Sequence, residues 1–234
     1  MHNVTDFEIT HRWPAKHPEL LQLYSFPTPN GQKVSIALEE MGIPYEAHTV
    51  TLSDADVKSP AFLSLNPNNK IPAIIDPNGS DGTPVTLFES GAILIYLAQK
   101  SGQLIGTTAQ EKAQVLQWLM FQMSGVGPMF GQLGFFTKFA GSEWDDPRPK
   151  DRYVTEAKRL LHVLDTVLQD RTWIAGAYSI ADIAIAPWLR ALDYYGAKES
   201  VGVAEYKTVV AYLDRFLERP AVARGLDVPP RTPV

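Results

Sequence analysis

The spacing of apolar and polar residues changes near residues 101–108. Before this point, short apolar runs of strand length alternate with stretches whose apolar residues recur at helical spacing. The pattern predicts strands over 20–24, 45–52, 71–76 and 85–88, and helices from near Gly31 to Gly42, over 60–65 and over 90–99. Turn residues at 77–79 and 81–82 predict a hairpin between the last two strands. The order of these elements suggests a small mixed sheet covered by helices.

After this point the spacing is helical throughout. It predicts helices over 110–123, 153–168, 180–194 and 206–217, with a glycine-rich break after the first at Gly125, Gly127, Gly131 and Gly134. We therefore expect an arm over 1–19, an α/β domain over 20–101, a linker over 102–108 and an all-α domain over 109–234.

Composition narrows the class of protein. Of the 234 residues, 45% are hydrophobic and 20% are charged, which is ordinary for a globular protein. The net charge of -5 and the lack of a basic run argue against nucleic acid as a partner. The residues at 1–19 lack the apolar core of a signal peptide. No apolar run approaches the ~18 residues that span a bilayer. We therefore expect a cytoplasmic protein with no membrane partner.

Cysteine is absent from the chain, which excludes disulfides and thiolate metal ligands. The histidines show no spacing typical of metal ligands, so we expect no metal site. The histidines are His2, His11, His17, His48 and His162.

The stretch Ser-Phe-Pro-Thr-Pro-Asn-Gly at 25–31 joins the first predicted strand to the first predicted helix. It places the hydroxyl of Thr28 and the carboxamide of Asn30 at a helix N-terminus. Free backbone N–H groups and the helix dipole favour a negative atom there. Because the chain has no cysteine, a thiolate at this position must arrive on a ligand.

A second motif, Asn-Asn-Lys-Ile-Pro-Ala at 68–73, places a proline where a strand begins. The bond between Ile71 and Pro72 is a candidate cis peptide, which would turn the backbone of Ile71 outward to pair with an extended peptide. An ordinary trans proline at an edge strand is the alternative.

A third motif, Phe-Glu-Ser-Gly-Ala at 88–92, places Ser90 where a helix N-cap belongs. Its hydroxyl and the following N–H groups would hold a carboxylate, and Glu89 would hold an ammonium. Together they would recognise the α-amino-acid end of a small molecule. A capping serine beside a solvated glutamate is the more common explanation of such a pattern.

Two other features have mainly structural interpretations. Ser179 and Asp182 have the spacing of a capping box, which we expect to stabilise a buried helix by roughly 1 kcal/mol. Apolar residues between 118 and 139 would line a substrate pocket, although roughly two thirds of them are expected in the core. These apolar residues are Met120, Phe121, Met123, Met129, Phe130, Phe135 and Phe136.

Taken together, these motifs resemble the glutathione transferases, and the resemblance extends from Leu20 to Leu226. The segments that carry it are 25–31, 66–73, 88–94 and Tyr-Ser-Ile-Ala-Asp-Ile-Ala at 178–184. Within the family, Thr-Pro-Asn at 28–30 and the stretch at 117–129 resemble the Nu class, which is related to the yeast nitrogen-catabolite regulator.

The resemblance implies a thioredoxin-like domain followed by a C-terminal helical bundle, in a homodimer. It also implies that the backbone of Ile71, before a cis Pro72, pairs with the cysteinyl part of glutathione. Glu89 and Ser90 would bind its γ-glutamyl end.

Other residues follow from the same resemblance. Thr28 and Asn30 would lie near the sulfur, and Lys70 and Arg152 would also bind glutathione. The chain departs from the class at Val57, near where the class often has Gln or His. Lys58 or the backbone would therefore have to replace that contact.

Similarity to the Nu class implies two glutathiones, or the disulfide, per subunit, and the reduction of a small disulfide substrate. One alternative is a related enzyme that acts on electrophilic aromatic substrates and removes glutathione from their thioethers. The other is a non-enzymatic glutathione-binding regulator, which the short arm of this chain argues against.

Overall fold

The computed structural model describes residues 4–79 and 81–231, which form two compact units. The first unit contains the described residues up to Gln103 and those from Pro220 on, and the second is Leu104–Arg219. The sequence pattern instead predicts a separate arm over 1–19 and places the C-terminal segment in the all-α domain. Residues 1–3 and 232–234 of those predicted segments lie outside the described residues.

The first unit has the predicted α/β composition. Its elements are β1 (Leu21–Ser25), α1 (Pro29–Met41), β2 (Tyr45–Thr49), α2 (Asp54–Val57), α3 (Pro60–Leu65), β3 (Ala73–Asp76), β4 (Val85–Phe88) and α4 (Ser90–Ser101). The four strands lie in the order β2-β1-β3-β4. This is a thioredoxin-like sheet covered by helices, as expected.

The strands pair in a mixed sheet, as the order of the predicted elements suggests. β1 and β2 are parallel and connected through α1, whereas β3 is antiparallel to both β1 and β4. Every residue of β1 is buried, including the polar Gln22 and Ser25. The predicted hairpin between β3 and β4 is confirmed, with Ala73 opposite Phe88.

Two of the boundaries that differ from prediction in this unit have a clear local cause. β3 begins at Ala73 and not at Ile71, because Pro72 has no N–H to donate to the sheet. β2 ends at Thr49, and the segment predicted to continue it turns instead into the short helix α2. The turn is held by the carboxylate of Asp56, which accepts from the backbone N–H of Thr51 at 2.9 Å.

The second unit is all-helical. Its helices are α5 (Ala109–Phe121), α6 (Gly127–Lys138), α7 (Arg148–Leu168), α8 (Ile180–Tyr194), α9 (Lys198–Val201) and α10 (Lys207–Leu217). The expected α/β plus all-α fold class is therefore confirmed. Every helix within residues 4–79 and 81–231 is too short or too polar to cross a membrane.

The predicted glycine-rich break in this unit is wrong. A π-helical turn over Gln122–Val126 joins α5 to α6, which then continues through Gly131 and Gly134. A Cβ atom on Gly134 would lie 2.9 Å from ring carbons of Tyr195. This glycine is therefore needed for close packing inside a helix, and not to interrupt it.

The remaining helix, α11 (Pro220–Gly225), packs against α1 of the first unit. Ser35 Oγ donates to the carbonyl oxygen of Gly225 at 2.6 Å, and Gln32 Nε2 donates to that of Leu226 at 2.8 Å. These contacts explain why the C-terminal segment belongs to the first unit.

The capping box predicted at the start of α8 is confirmed. The Asp182 carboxylate accepts from the backbone N–H of Ser179 at 2.9 Å, and Ser179 Oγ accepts from that of Ala181 at 3.3 Å. Asp182 also accepts from Ile174 N at 2.9 Å and from Tyr212 Oη at 3.1 Å. Burial raises the pKa of Asp182 to about 6, although these hydrogen bonds oppose the shift. The carboxylate thus links α8 to α10 and to the preceding turn.

Asp182→Ala should lower the free energy of unfolding by about 3 kcal/mol, more than the loss of one cap. The substitution leaves several buried donors without an acceptor, and each costs about 1–3 kcal/mol. Urea unfolding followed by tryptophan fluorescence measures the change. Asp193→Ala is the control, because its exposed side chain pairs with Lys198 on the surface. An equal effect of the two substitutions would contradict this account.

Candidate active site

Thr28 closes the N-terminus of α1. Its Oγ1 accepts from the backbone N–H of Gly31 at 3.4 Å, and its own φ of -95° and ψ of 166° are those of an N-cap. The helix begins at Pro29, slightly earlier than predicted, because proline suits the first helical position. Asn30 therefore lies in the first turn, where backbone N–H groups have no partner inside the helix.

The junction between β1 and α1 is unusually tight. A Cβ atom on Gly31 would lie 2.0 Å from the carbonyl oxygen of Phe26, so only glycine fits. The same carbonyl accepts from the backbone N–H of Thr28 at 2.7 Å. The connection is thus folded back onto the first turn, which fixes where Thr28 and Asn30 point.

A cleft of about 370 Å³ opens at this junction. It brings together four of the predicted site residues, which are Thr28, Asn30, Lys70 and Ile71. The rest of its lining is Leu52, Asp54, Val57, Lys58 and Asn69. Pro72, Glu89 and Ser90 do not line it, although they belong to the same unit.

The Ile71–Pro72 bond is cis, as the first of the two interpretations predicted. Ile71 lies just outside the sheet, whose pairing with β1 extends only to Ala73. Asn66, which is 2% exposed, holds this loop. Its Nδ2 donates to the carbonyl oxygen of Lys70 at 2.6 Å, and its Oδ1 accepts from Asn68 N at 2.9 Å. Sequence reasoning missed Asn66, although an asparagine before a Pro-Asn-Asn turn is a signal for such side-chain bonding.

Val57, where the resemblance left a contact to glutathione in question, has a clear place in the structure. Val57 is buried and packs in the core of the unit while it lines the cleft. It gives the cleft an apolar contact and no hydrogen bond. Lys58, the suggested replacement, forms a salt bridge of 2.8 Å with Asp54 on the surface.

Glu89 and Ser90 lie at the N-terminus of α4, where the N-cap is one residue earlier than predicted. Ser90 is the first residue of the helix, and Glu89 is its N-cap, with a φ of 72°. The expectation that Ser90 is the N-cap is therefore wrong. Such a φ is sparsely populated by non-glycine residues and is concentrated at functional sites.

Lys33 was missed by the sequence analysis. It is 0% exposed, and its Nζ donates to Ser90 Oγ at 3.2 Å. Burial lowers the pKa of Lys33 to about 7, although the nearby charge of Glu89 acts to raise it. Its only signal in the sequence is a lysine placed next to the apolar stripe of α1.

Lys33→Met should change how stability depends on pH. Above about pH 7, Lys33 loses its proton in the folded chain, whereas an unfolded lysine keeps its proton up to about pH 10. The contribution of Lys33 to the free energy of unfolding of the wild type therefore rises across this window. The difference in free energy of unfolding, wild type minus variant, should therefore rise by a few kcal/mol from about pH 7 to about pH 10. Urea unfolding at a series of pH values measures it.

Lys158→Met is the matched control, because that side chain is exposed to water in the folded chain. A rise that is the same for both variants, or absent from both, would show that burial of Lys33 is not its source.

Arg152 lies on α7 in the second unit, where its side chain is 69% exposed and 4.0 Å from Glu156.

The expectation that most of the seven apolar residues between 118 and 139 lie in the core is wrong. Of the seven, Phe130 alone is buried, Met120 is 48% exposed, and the others are half-buried. Phe136 stacks on Tyr153 at 5.6 Å and lies edge-on to Trp144 at 5.4 Å. It therefore packs against other aromatic rings although it is only half-buried.

Within the described part of the chain, no three His, Cys, Asp or Glu side chains are arranged to hold a metal ion. The polar side chains that line the cleft are those of Thr28, Asn30, Asp54, Lys58, Asn69 and Lys70.

Comparison with known proteins identifies the family. The Glutathione S-transferase N-terminal domain matches residues 28–100, and the Glutathione S-transferase C-terminal domain matches residues 127–220. Disulfide-bond oxidoreductase YfcG of Escherichia coli (strain K12) is 42% identical over 209 residues, covering 88% of this chain and 94% of the relative. The chain therefore belongs to the glutathione S-transferase family, as its motifs predicted.

Two solved structures are closely similar. A glutathione transferase from Pseudomonas putida, with one glutathione disulfide bound per subunit, is 60% identical with a TM-score of 0.96. The alignment covers 97% of this chain and 100% of that one. A glutathione transferase from Burkholderia graminis, with two glutathione molecules bound per subunit, is 61% identical, also with a TM-score of 0.96. In that case the coverage is 99% and 98%.

Proposed function

We propose that this protein is a glutathione-dependent disulfide reductase of the Nu class, which holds the glutathione thiolate with Thr28 and Asn30. The observation that carries the proposal is the N-terminus of α1, where both side chains line one cleft. The protein is further proposed to act as a homodimer in the cytoplasm.

The first task of such an enzyme is to ionise a thiol. A free thiol with a pKa near ~8.5 is only a few per cent thiolate at about pH 7. Lowering that pKa by about two units requires under ~3 kcal/mol. The positive end of a helix contributes up to about 2 kcal/mol in partly buried sites, and a charge-assisted hydrogen bond contributes a similar amount.

Thr28 is suited to this role because its oxygen already accepts from Gly31 N. The hydroxyl proton then remains to be donated to a sulfur anion. Asn30 donates through its amide and cannot take up the thiol proton, so its role is to hold and orient the thiolate. These residues stabilise a charge and perform no acid-base step.

The rest of glutathione would be bound by residues that line the cleft and by two residues at the start of α4. The backbone of Ile71, before the cis Pro72, pairs with the cysteinyl part, and Lys70 lies beside it. Glu89 and Ser90 bind the γ-glutamyl end, where Lys33 supports the Ser90 hydroxyl. Arg152 is also proposed to contact glutathione.

The reaction balances with two glutathiones. The first thiolate attacks one sulfur of a substrate disulfide, which forms a mixed disulfide and releases the other sulfur as a thiolate that is then protonated. A second glutathione thiolate attacks the glutathione sulfur of the mixed disulfide, releases the remaining substrate thiol and leaves glutathione disulfide. Because the chain has no cysteine, both attacking sulfurs belong to glutathione. The name of the E. coli relative and the ligands in both solved structures support this sequence of steps.

Asn30→Ala should lower kcat/KM for glutathione-dependent reduction of a model disulfide by about 10- to 100-fold, because the thiolate loses a charge-assisted hydrogen bond of about 1.5–3 kcal/mol. Thr28→Val should have an effect of the same size, with an added loss of about 1 kcal/mol of stability from the missing cap. A coupled assay of glutathione disulfide formation measures the rates.

Asn78→Ala is the matched control, because Asn78 is an exposed asparagine of the same unit whose Nδ2 donates to the Glu19 carbonyl at 3.0 Å. Unchanged disulfide reductase activity in Asn30→Ala would show the proposed mechanism to be wrong. An assay with an aryl thioether of glutathione, run beside it, tells the reductase from a thioether-cleaving enzyme.

Arg152→Ala should weaken glutathione binding by about tenfold, which corresponds to about 1.4 kcal/mol for a lost hydrogen bond from a charged group. Titration calorimetry gives both the affinity and the number of glutathiones per subunit. Arg148→Ala is the control, since Arg148 lies on the same helix, is exposed and pairs with Asp146. If both variants bind glutathione as the wild type does, Arg152 has no role in binding.

A further inference from the structure

The geometry points to Arg12, in the N-terminal arm, as a positioning residue for the cleft: it holds Asp56 and thereby fixes the wall formed by residues 51–58. The inference rests on the proposed function only in that glutathione is taken as the ligand of this cleft.

One wall of the cleft is formed by a segment with little regular secondary structure of its own. Leu52, Asp54, Val57 and Lys58 line the cleft and lie between the end of β2 and the start of α3. Within this segment, α2 has only 4 residues, and its N-cap Ser53 makes no side-chain capping bond. A single helical turn is not stable by itself, so this wall needs support from elsewhere.

Asp56 is the point at which that support converges. Its Oδ2 accepts from both the backbone N–H and the hydroxyl of Thr51, at 2.9 Å and 2.6 Å. Its Oδ1 accepts from Arg12 at 2.5 Å. The side chain of Asp56 is only 15% exposed, so the ion pair is better shielded from water than an ordinary surface pair. Burial tends to raise the pKa of Asp56, but these hydrogen bonds and the charge of Arg12 lower it overall.

Arg12 is itself held in place by the next residue. Its guanidinium lies 5.0 Å from the centre of the Trp13 ring. Trp13 Nε1 donates to the carbonyl oxygen of Thr49 at 2.9 Å, directly before the supported segment. The same ring lies edge-on to Tyr24 and Phe62, at 6.4 Å from each. The arm is therefore anchored to β1, to the end of β2 and to α3 before it reaches Asp56.

These contacts give the arm a function that its sequence did not suggest. Without Arg12, the turn at Thr51 and the short α2 keep their local hydrogen bonds and the packing of Val57, but they lose the ion pair that ties them to the arm. The wall then has to be ordered when glutathione binds, and this ordering lowers the affinity.

The test is titration calorimetry of Arg12→Ala with glutathione disulfide. Binding should weaken by about tenfold, equivalent to about 1.4 kcal/mol. Arg12→Lys should recover part of this loss, because it keeps the charge at Asp56. Hydrogen exchange of the ligand-free variant should be faster in a peptide covering residues 51–58.

Arg224→Ala is the matched control. Arg224 belongs to the same unit, is 58% exposed and pairs with Glu39 at 2.7 Å, away from the cleft lining. It should change the affinity by less than about twofold, an effect within the usual range for an exposed ion pair. In the Asp56→Asn background, Arg12→Ala should have a much smaller effect, because the two residues act as one unit.

The inference is overturned if Arg12→Ala binds glutathione disulfide as the wild type does, or if Arg224→Ala weakens binding equally. It is also overturned if exchange at 51–58 is unchanged. A wild-type chain that fails to bind any glutathione would instead refute the proposed function, and exchange at 51–58 would still test the contact between the arm and the wall.

Discussion

The tight connection between β1 and α1 is the constraint on which the rest of the site depends. Gly31 has no side chain, and the Phe26 carbonyl occupies the space that a Cβ atom would need. This close approach lets Thr28 cap the helix and places Asn30 in its first turn. A hydroxyl, an amide and the positive end of a helix are thereby presented together to a cleft, without a cysteine anywhere in the chain.

The N-terminus of α4 is also supported by α1. Lys33 lies one turn further along α1 and reaches Ser90, where α4 begins, inside the first unit. Helix α1 thus connects the proposed sulfur site to the proposed γ-glutamyl site through one buried polar contact. On the other side of the cleft, Asn66 fixes the loop before Ile71, and Asp56 fixes the turn before α2. Two of the residues proposed to touch glutathione, Lys70 and Ser90, are thus held by neighbours that are not proposed to touch it.

Much of this arrangement could be predicted from the sequence, because local patterns dominate it. The bounds of α3, β4 and α8 agree with those predicted, and the cis bond before Pro72 was foreseen as one of two possibilities. Two of the residues that were missed, Lys33 and Arg12, act over long separations in the chain. Lys33 and Ser90 are 57 positions apart, and Arg12 and Asp56 are 44 apart, so no local pattern connects them. Gly134 of α6 was misread because packing against Tyr195 overrides its low helix propensity.

The central claim is that the start of α1 lowers the pKa of the bound glutathione thiol. Ultraviolet absorbance of the thiolate, titrated against pH for the wild type saturated with glutathione, measures that pKa directly. We predict a value about two units below the ~8.5 of a free thiol, returning most of the way towards ~8.5 in Asn30→Ala. A bound thiol that titrates near ~8.5 in both proteins would contradict the account.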